Sequence, residues 1–184
     1  MHPHDTEMDL SIATALFFAS RGVGVVEGAG EPEPYKTSAR VLLSGLGADE
    51  LFAGYQRHGI AFQQRGYGGL VEELELDFLR LGKRNLGRDD RVLSHWGKEA
   101  RYPYLDEDVV GWAMRASAWE KCGFGCSDDG RSEVEPGKLV LRLLAMRLGL
   151  SGVAREKKRA IQFGARTAKM ERGKVKGTER VDPI

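Results

Sequence analysis

The chain has 184 residues, 41% of them hydrophobic, with 28 basic against 27 acidic side chains and a formal net charge of +1. That length and apolar content allow one buried core, and the balanced charge excludes a global field that would draw the protein to nucleic acid or a membrane. Two cysteines exclude a disulfide framework and suit a reducing cytosol; the longest apolar stretch, Ile12 to Ala19, is too short to cross a bilayer and lacks signal-peptide flanks, so a cytoplasmic location is expected.

The first seven residues are polar and are expected to be loose. Asp9 or Ser11 is placed to cap a helix that carries Ile12, Leu16 and Ala19 on one face and ends near Arg21-Gly22. Residues 22–38 are rich in glycine, proline and glutamate and read as a loop. Val41-Leu42-Leu43 then marks a buried parallel strand over 40–44, followed by a glycine-spaced turn and a helix over 48–57. Leu70, Leu74, Phe78 and Leu81 recur at three- and four-residue spacing, the mark of an amphipathic helix. Next come a charged loop, a short helix around 89–95 and an extended Tyr102-Pro103-Tyr104, and Asp106 caps a helix through Met114. Residues 121–134 read as a loop, and Pro136 as the first turn of a helix over 136–148 that stops before Gly149. The expected organisation is a loose start over 1–7, a domain over 8–170 and a disordered basic tail over 171–184.

The turn Ser44-Gly45-Leu46-Gly47-Ala48-Asp49-Glu50 carries the chemistry. A strand, a glycine turn and a helix N-terminus together offer backbone N–H groups to an anion, and adjacent carboxylates can hold Mg²⁺ beside phosphates. The same residues also suit a plain turn whose acids face the helix dipole. Other patterns carry less. Gly22-Val23-Gly24-Val25-Val26-Glu27-Gly28 imitates a dinucleotide fingerprint but follows a helical pattern rather than a strand. Cys122 and Cys126 have no downstream Cys/His pair to complete a zinc site, and His2 and His4 sit on the loose start. Lys157-Lys158-Arg159 lacks the interleaved aromatic residues of an RNA-binding surface, apart from Phe163.

Four pieces occur in a fixed order: Ser44–Glu50 with Gly54-Tyr55; Asn85–Val92 leading into Gly97-Lys98-Glu99-Ala100-Arg101-Tyr102-Pro103-Tyr104-Leu105-Asp106; Lys138-Leu139-Val140-Leu141-Arg142; and Lys158-Arg159-Ala160-Ile161-Gln162-Phe163-Gly164. Together they resemble the asparagine synthetase family. The resemblance implies an α/β, mostly helical fold: part of an adenine-nucleotide α-hydrolase-like domain with a short parallel sheet. It also implies ATP and Mg²⁺, with a carboxylate attacking the α-phosphate to give an acyl-adenylate and ammonia from glutamine then displacing AMP. By the same resemblance Asp49 is a metal ligand, and Ser44, Gly45, Gly47 and Glu50 contact the nucleotide. Glu99 lies near the acceptor with Arg101 placed to pair with it, and Lys158 stabilises phosphate charge. Tyr55 is expected to pack rather than react.

Three departures qualify what the resemblance implies. The sequence holds no Ser-Gly-Gly-X-Asp-Ser pyrophosphate loop, it opens on Met1-His2 rather than a nucleophilic cysteine, and Leu46 stands where family members carry glutamate or tyrosine. An apolar side chain there can neither hold an ammonium nor take a proton. The expectation is therefore the C-terminal part of a synthetase domain, inactive by itself, with small-molecule partners and a tendency to self-associate. The alternative is a non-catalytic binding or interaction module.

Overall fold

The computed structural model describes residues 3–28, 30–126, 134–167 and 178–181. The single core expected from length resolves into two compact units. The first is built from chain up to Ser44, Arg84–Arg101 and chain from Arg159 onward; the second comprises Gly45–Lys83 and Tyr102–Lys158.

In the first unit, helix α1 (Glu7–Arg21) starts one turn before the expected cap: the Thr6 hydroxyl, not Asp9 or Ser11, accepts from the Asp9 N–H at 3.2 Å. Gly22 ends it in the left-handed conformation that glycine adopts without a Cβ clash. Ala13 and Ala15 are buried while Ala19 is exposed, so the inward face is rotated from the one the apolar spacing marked. Residues 22–38 are not simply a loop. β1 (Val23–Val26) and β2 (Glu33–Lys36) pair antiparallel, Val25 opposite Pro34 and Gly24 opposite Tyr35. Both strands are exposed throughout, and their glycine and proline content hid a pairing that carries no buried face. Thr6 also forms an antiparallel bridge with Arg180, between segments whose composition marked a loose start and a disordered tail. Most of that tail lies outside the described residues, as do 127–133 of the expected 121–134 loop.

β3 (Val41–Leu43) pairs in parallel with β4 (Glu99–Arg101), Leu42 opposite Ala100, and the Ser44 N–H extends the ladder to the Arg101 carbonyl at 2.8 Å. The parallel pairing matches expectation; burial does not, because Leu43 is 77% exposed. Helix α4 (Gly87–Ser94) packs on α1 through a buried ionic cluster. There Arg88 donates to Asp9 at 2.6 Å and to Asp89 at 2.8 Å.

In the second unit, the expected helix over 48–57 is a single turn, α2 (Ala48–Leu51). Ala53 adopts a positive φ of 60°, and Gly54 turns back so that its N–H reaches the Asp49 carbonyl at 2.9 Å. A Cβ at Gly54 would collide with the Asp49 carboxylate. The chain re-enters helix as α3 (Gln56–Leu81), which includes the Leu70–Leu81 stripe. α3 is not a straight rod. His58 and Asp77 are 19 positions apart, about 28 Å along a continuous helix, yet Nε2 and Oδ2 lie 2.9 Å apart. The reversal occurs at Gly66, whose φ of 63° and ψ of −155° suit only glycine.

β4 stops at Arg101, and Pro103–Leu105 forms a 3₁₀ turn rather than the expected extended run, because proline fits the first turn of a helix. Asp106 caps α5 (Glu107–Arg115) as expected, accepting from the Asp108 N–H. After α6 (Ala118–Lys121), α7 (Leu139–Arg147) begins three residues later than Pro136 suggested, because Lys138 takes a left-handed conformation at φ 58°. α8 (Ser151–Arg155) belongs to this unit and α9 (Ile161–Gly164) to the first. The second unit's core is Leu70, Leu74, Ala53, Ala118 and Cys122, with Leu51, Phe52 and Ala113 as a neighbouring cluster.

Candidate functional site

Asp49 is held where the glycine turn meets α2. Gly47 precedes it at φ 99°, and a Cβ there would press on the Leu105 side chain, so the turn requires glycine on two counts. α2 is a single turn, in which Ala48 donates to the Gly45 carbonyl and Leu51 to that of Gly47. Two lysines bring positive charge to this turn. Lys138 Nζ lies 2.7 Å from Asp49 Oδ1 and Lys158 Nζ 3.6 Å from Oδ2. All three side chains are about one-quarter exposed, so both ammonium groups and the carboxylate between them reach water.

Beneath them the Tyr55 hydroxyl donates to Glu50 Oε1 at 2.5 Å. The Arg57 guanidinium lies 4.1 Å from the Tyr55 ring centre and Lys158 Nζ 4.8 Å from it. Burial first, then the charge of Glu50 and the bond donated to it, push the Tyr55 phenol well above its ordinary range. Glu50 itself is buried on Tyr55 rather than presented to solvent.

The structure thus brings Asp49, Glu50 and Lys158 together with Gly45 and Gly47 in the second unit. Ser44 and Glu99 belong to the first. Glu99 pairs with Arg101 at 2.9 Å as expected, but both side chains are more than half exposed, so this is a surface pair rather than a buried clamp. Sequence reasoning gave no role to Lys138 and treated Tyr55 as packing. The available signals were the lysine opening Lys138–Arg142 and the tyrosine directly after Gly54.

The donor set does not fit Mg²⁺ as it stands. Both oxygens of Asp49 face ammonium groups, and among the described residues no group of three or more His, Cys, Asp or Glu side chains could hold a metal. The two cysteines are unpaired, Cys122 buried and Cys126 exposed. Among the described residues no helix is long and apolar enough to cross a membrane.

No solved structure matches this chain. The asparagine synthase family model matches residues 35–68 and 62–178. An asparagine synthetase domain-containing protein 1 from Bos taurus is 47% identical over 98% of this chain, and that from Gallus gallus 48% over 93%. A putative glutamine-hydrolysing asparagine synthetase of Methanocaldococcus jannaschii is 43% identical over half of the chain and 17% of its own length. The chain spans about a quarter of the curated relatives it matches, 27% of the Bos taurus protein and 26% of the Gallus gallus one. A mostly helical chain with a short parallel sheet, carrying the synthetase turn on Asp49 and matched over most of its length, belongs to the asparagine synthase family.

Proposed function

We propose that this chain supplies the phosphate-holding part of an ATP-dependent amide-forming site, the chemistry by which aspartate becomes asparagine through an acyl-adenylate. The observation that carries this is the convergence of Lys138 and Lys158 on Asp49 at the glycine turn. In such a reaction a carboxylate oxygen attacks the α-phosphorus, pyrophosphate departs, and negative charge builds on its oxygens. Two ammonium groups held in place by a carboxylate need no reorganisation to meet that charge. Asp49 fixes the lysines, Tyr55 and Glu50 form the floor beneath them, and Gly47 lets the turn approach closely.

The test is calorimetry with ATP and with inorganic pyrophosphate on the 184-residue chain. Binding in the millimolar range is expected. Lys138→Ala and Lys158→Ala should each weaken it about 10- to 100-fold, the worth of one charge-assisted bond of about 1.5–3 kcal/mol. Affinity unchanged by both substitutions would place the anion elsewhere and overturn the reading.

Leu46 favours a second reading, a nucleotide-contacting but non-catalytic domain, because an apolar side chain there can neither hold an ammonium nor take a proton. On this basis the 184-residue chain is expected to form no asparagine from aspartate, ATP and ammonia. Turnover above a no-protein control that disappears in Asp49→Ala would exclude the non-catalytic reading.

A further inference from the structure

The geometry points to Arg142 as the positioning residue that sets both lysines against Asp49, with Glu135 as its coupler to Lys158. Its consequence for function rests on the phosphate-holding role of those lysines. Arg142 lies on α7 and is 7% exposed. Its guanidinium spends its donors on backbone belonging to two separate stretches. Nε donates to the Gly137 carbonyl at 3.0 Å, immediately before Lys138. Nη1 donates to the carbonyls of Ala154 at 2.6 Å and Glu156 at 2.8 Å, the latter two residues before Lys158. Nη2 donates to Glu135 Oε2 at 3.0 Å, and that same oxygen accepts the Lys158 backbone N–H at 3.0 Å.

Arg142 therefore holds the peptide that leads into Lys138 directly, and holds Lys158 through the Glu156 carbonyl and through Glu135, whose Oε2 takes the Lys158 N–H. The pinning matters most at Lys138, which sits at φ 58°, a conformation a non-glycine residue holds only when its surroundings enforce it. The Lys138 N–H donates to the Phe52 carbonyl at 2.8 Å on one side, and Arg142 fixes the preceding carbonyl on the other. Gly137 allows this approach, since a Cβ there would lie 2.8 Å from the Ala53 carbonyl. Lys158 leaves a segment with no helix after Arg155, so its reach to Asp49 depends on where Glu156 and Glu135 hold the chain. A lysine in place of Arg142 is a point charge on a flexible stem and cannot serve these acceptors together.

The test reads the two ammonium groups directly. Lysines are methylated reductively with ¹³C-formaldehyde, and the Lys138 and Lys158 resonances are followed as Asp49 is changed to Asn. In the parent chain Asp49→Asn moves both resonances. In the Arg142→Lys background that response is lost for both while the circular dichroism spectrum is kept. A lowered unfolding midpoint with both responses intact means Arg142 is merely structural and overturns the proposal. Should Arg142→Lys fail to fold, Glu135→Ala decides, because Glu135 is part-exposed and the substitution removes the shared acceptor while leaving Arg142's backbone bonds in place. Loss of the Lys158 response with that of Lys138 retained supports the proposal; retention of both overturns it. Calorimetry with inorganic pyrophosphate separates the two readings. Absence of binding in the parent chain removes the phosphate role while the resonance result still decides the positioning.

Discussion

Tyr55 shows how one side chain can be read two ways until its hydroxyl is located. Its ring meets both Arg57 and Lys158, and its hydroxyl donates to a glutamate that is 3% exposed. Removing the hydroxyl leaves Glu50 buried and short of a donor, so Tyr55→Phe should cost about 1–3 kcal/mol at neutral pH. The pH dependence distinguishes this bond from simple packing. The folded-state pKa of Tyr55 is raised above the unfolded value of about 10. Its contribution is therefore fully present below about pH 10 and is lost as pH rises through the folded value. Urea unfolding across pH 8–11 should show the parent chain losing stability above about pH 10 and Tyr55→Phe losing less. Parallel curves for the two would mean that Glu50 is not held by this bond. Sequence alone could not assign this role, since a tyrosine after a glycine turn packs as often as it bonds. Asp49 and Lys158 were named for one site through the family resemblance of strings far apart in the chain, and no spacing in the sequence itself shows that their side chains lie 3.6 Å apart.

At the scale of elements, the helical hairpin of α3 is held by charge across its reversal. Asp77 accepts from Arg57 and lies 2.9 Å from His58 Nε2, while Arg65 reaches Glu72 and Glu73. His58 is fully buried, and its Nδ1 accepts the Tyr55 N–H at 3.3 Å, so the ring proton sits on Nε2 and points at Asp77. Burial pushes the Asp77 carboxyl up, but the bonds from His58 and Arg57 outweigh it and hold the group below its usual range. Its contribution is therefore present above about pH 4 and is lost as pH falls through the folded value, so Asp77→Asn should flatten the acid limb of the stability curve. Glycine substitutions give a sharper test of the hairpin. Gly66→Ala forces a side chain into a conformation only glycine adopts comfortably and should cost about 1–3 kcal/mol. Gly68→Ala, two positions on, meets open space in ordinary helix and should stabilise by about 0.4–1 kcal/mol. Equal midpoint shifts in urea would mean no reversal at Gly66. The Leu70–Leu81 stripe was legible because a buried helix face writes its period into the sequence. The reversal was not, because Gly66, Gly68 and Gly69 look alike without their dihedral angles. The β1–β2 hairpin and the left-handed Lys138 were hidden for related reasons: one buries no face, and the other departs from the proline rule through a long-range bond to Phe52.

At the scale of the whole 184-residue chain, apolar surface decides behaviour in solution. β3 was expected to be buried on both faces, yet Val41 is 48% exposed and Leu43 77% exposed. Among the described residues β3 pairs with β4 alone, so its other edge keeps unpaired backbone groups beside exposed leucine. Each large apolar side chain left in water forgoes about 1.5–3 kcal/mol, against typical domain stabilities of about 5–15 kcal/mol. With a net charge of only +1 there is little electrostatic repulsion to keep copies apart. The chain is therefore expected to be marginally stable and to self-associate through the β3 edge. Multi-angle light scattering over a concentration series should show mass rising with concentration. Leu43→Lys should suppress that rise, because a charge on an edge strand opposes pairing with another edge. It should do so without lowering the unfolding midpoint, since the leucine side chain already meets water. A monodisperse monomer across the series, unfolding cooperatively at high temperature, would show that the exposed edge carries no such tendency.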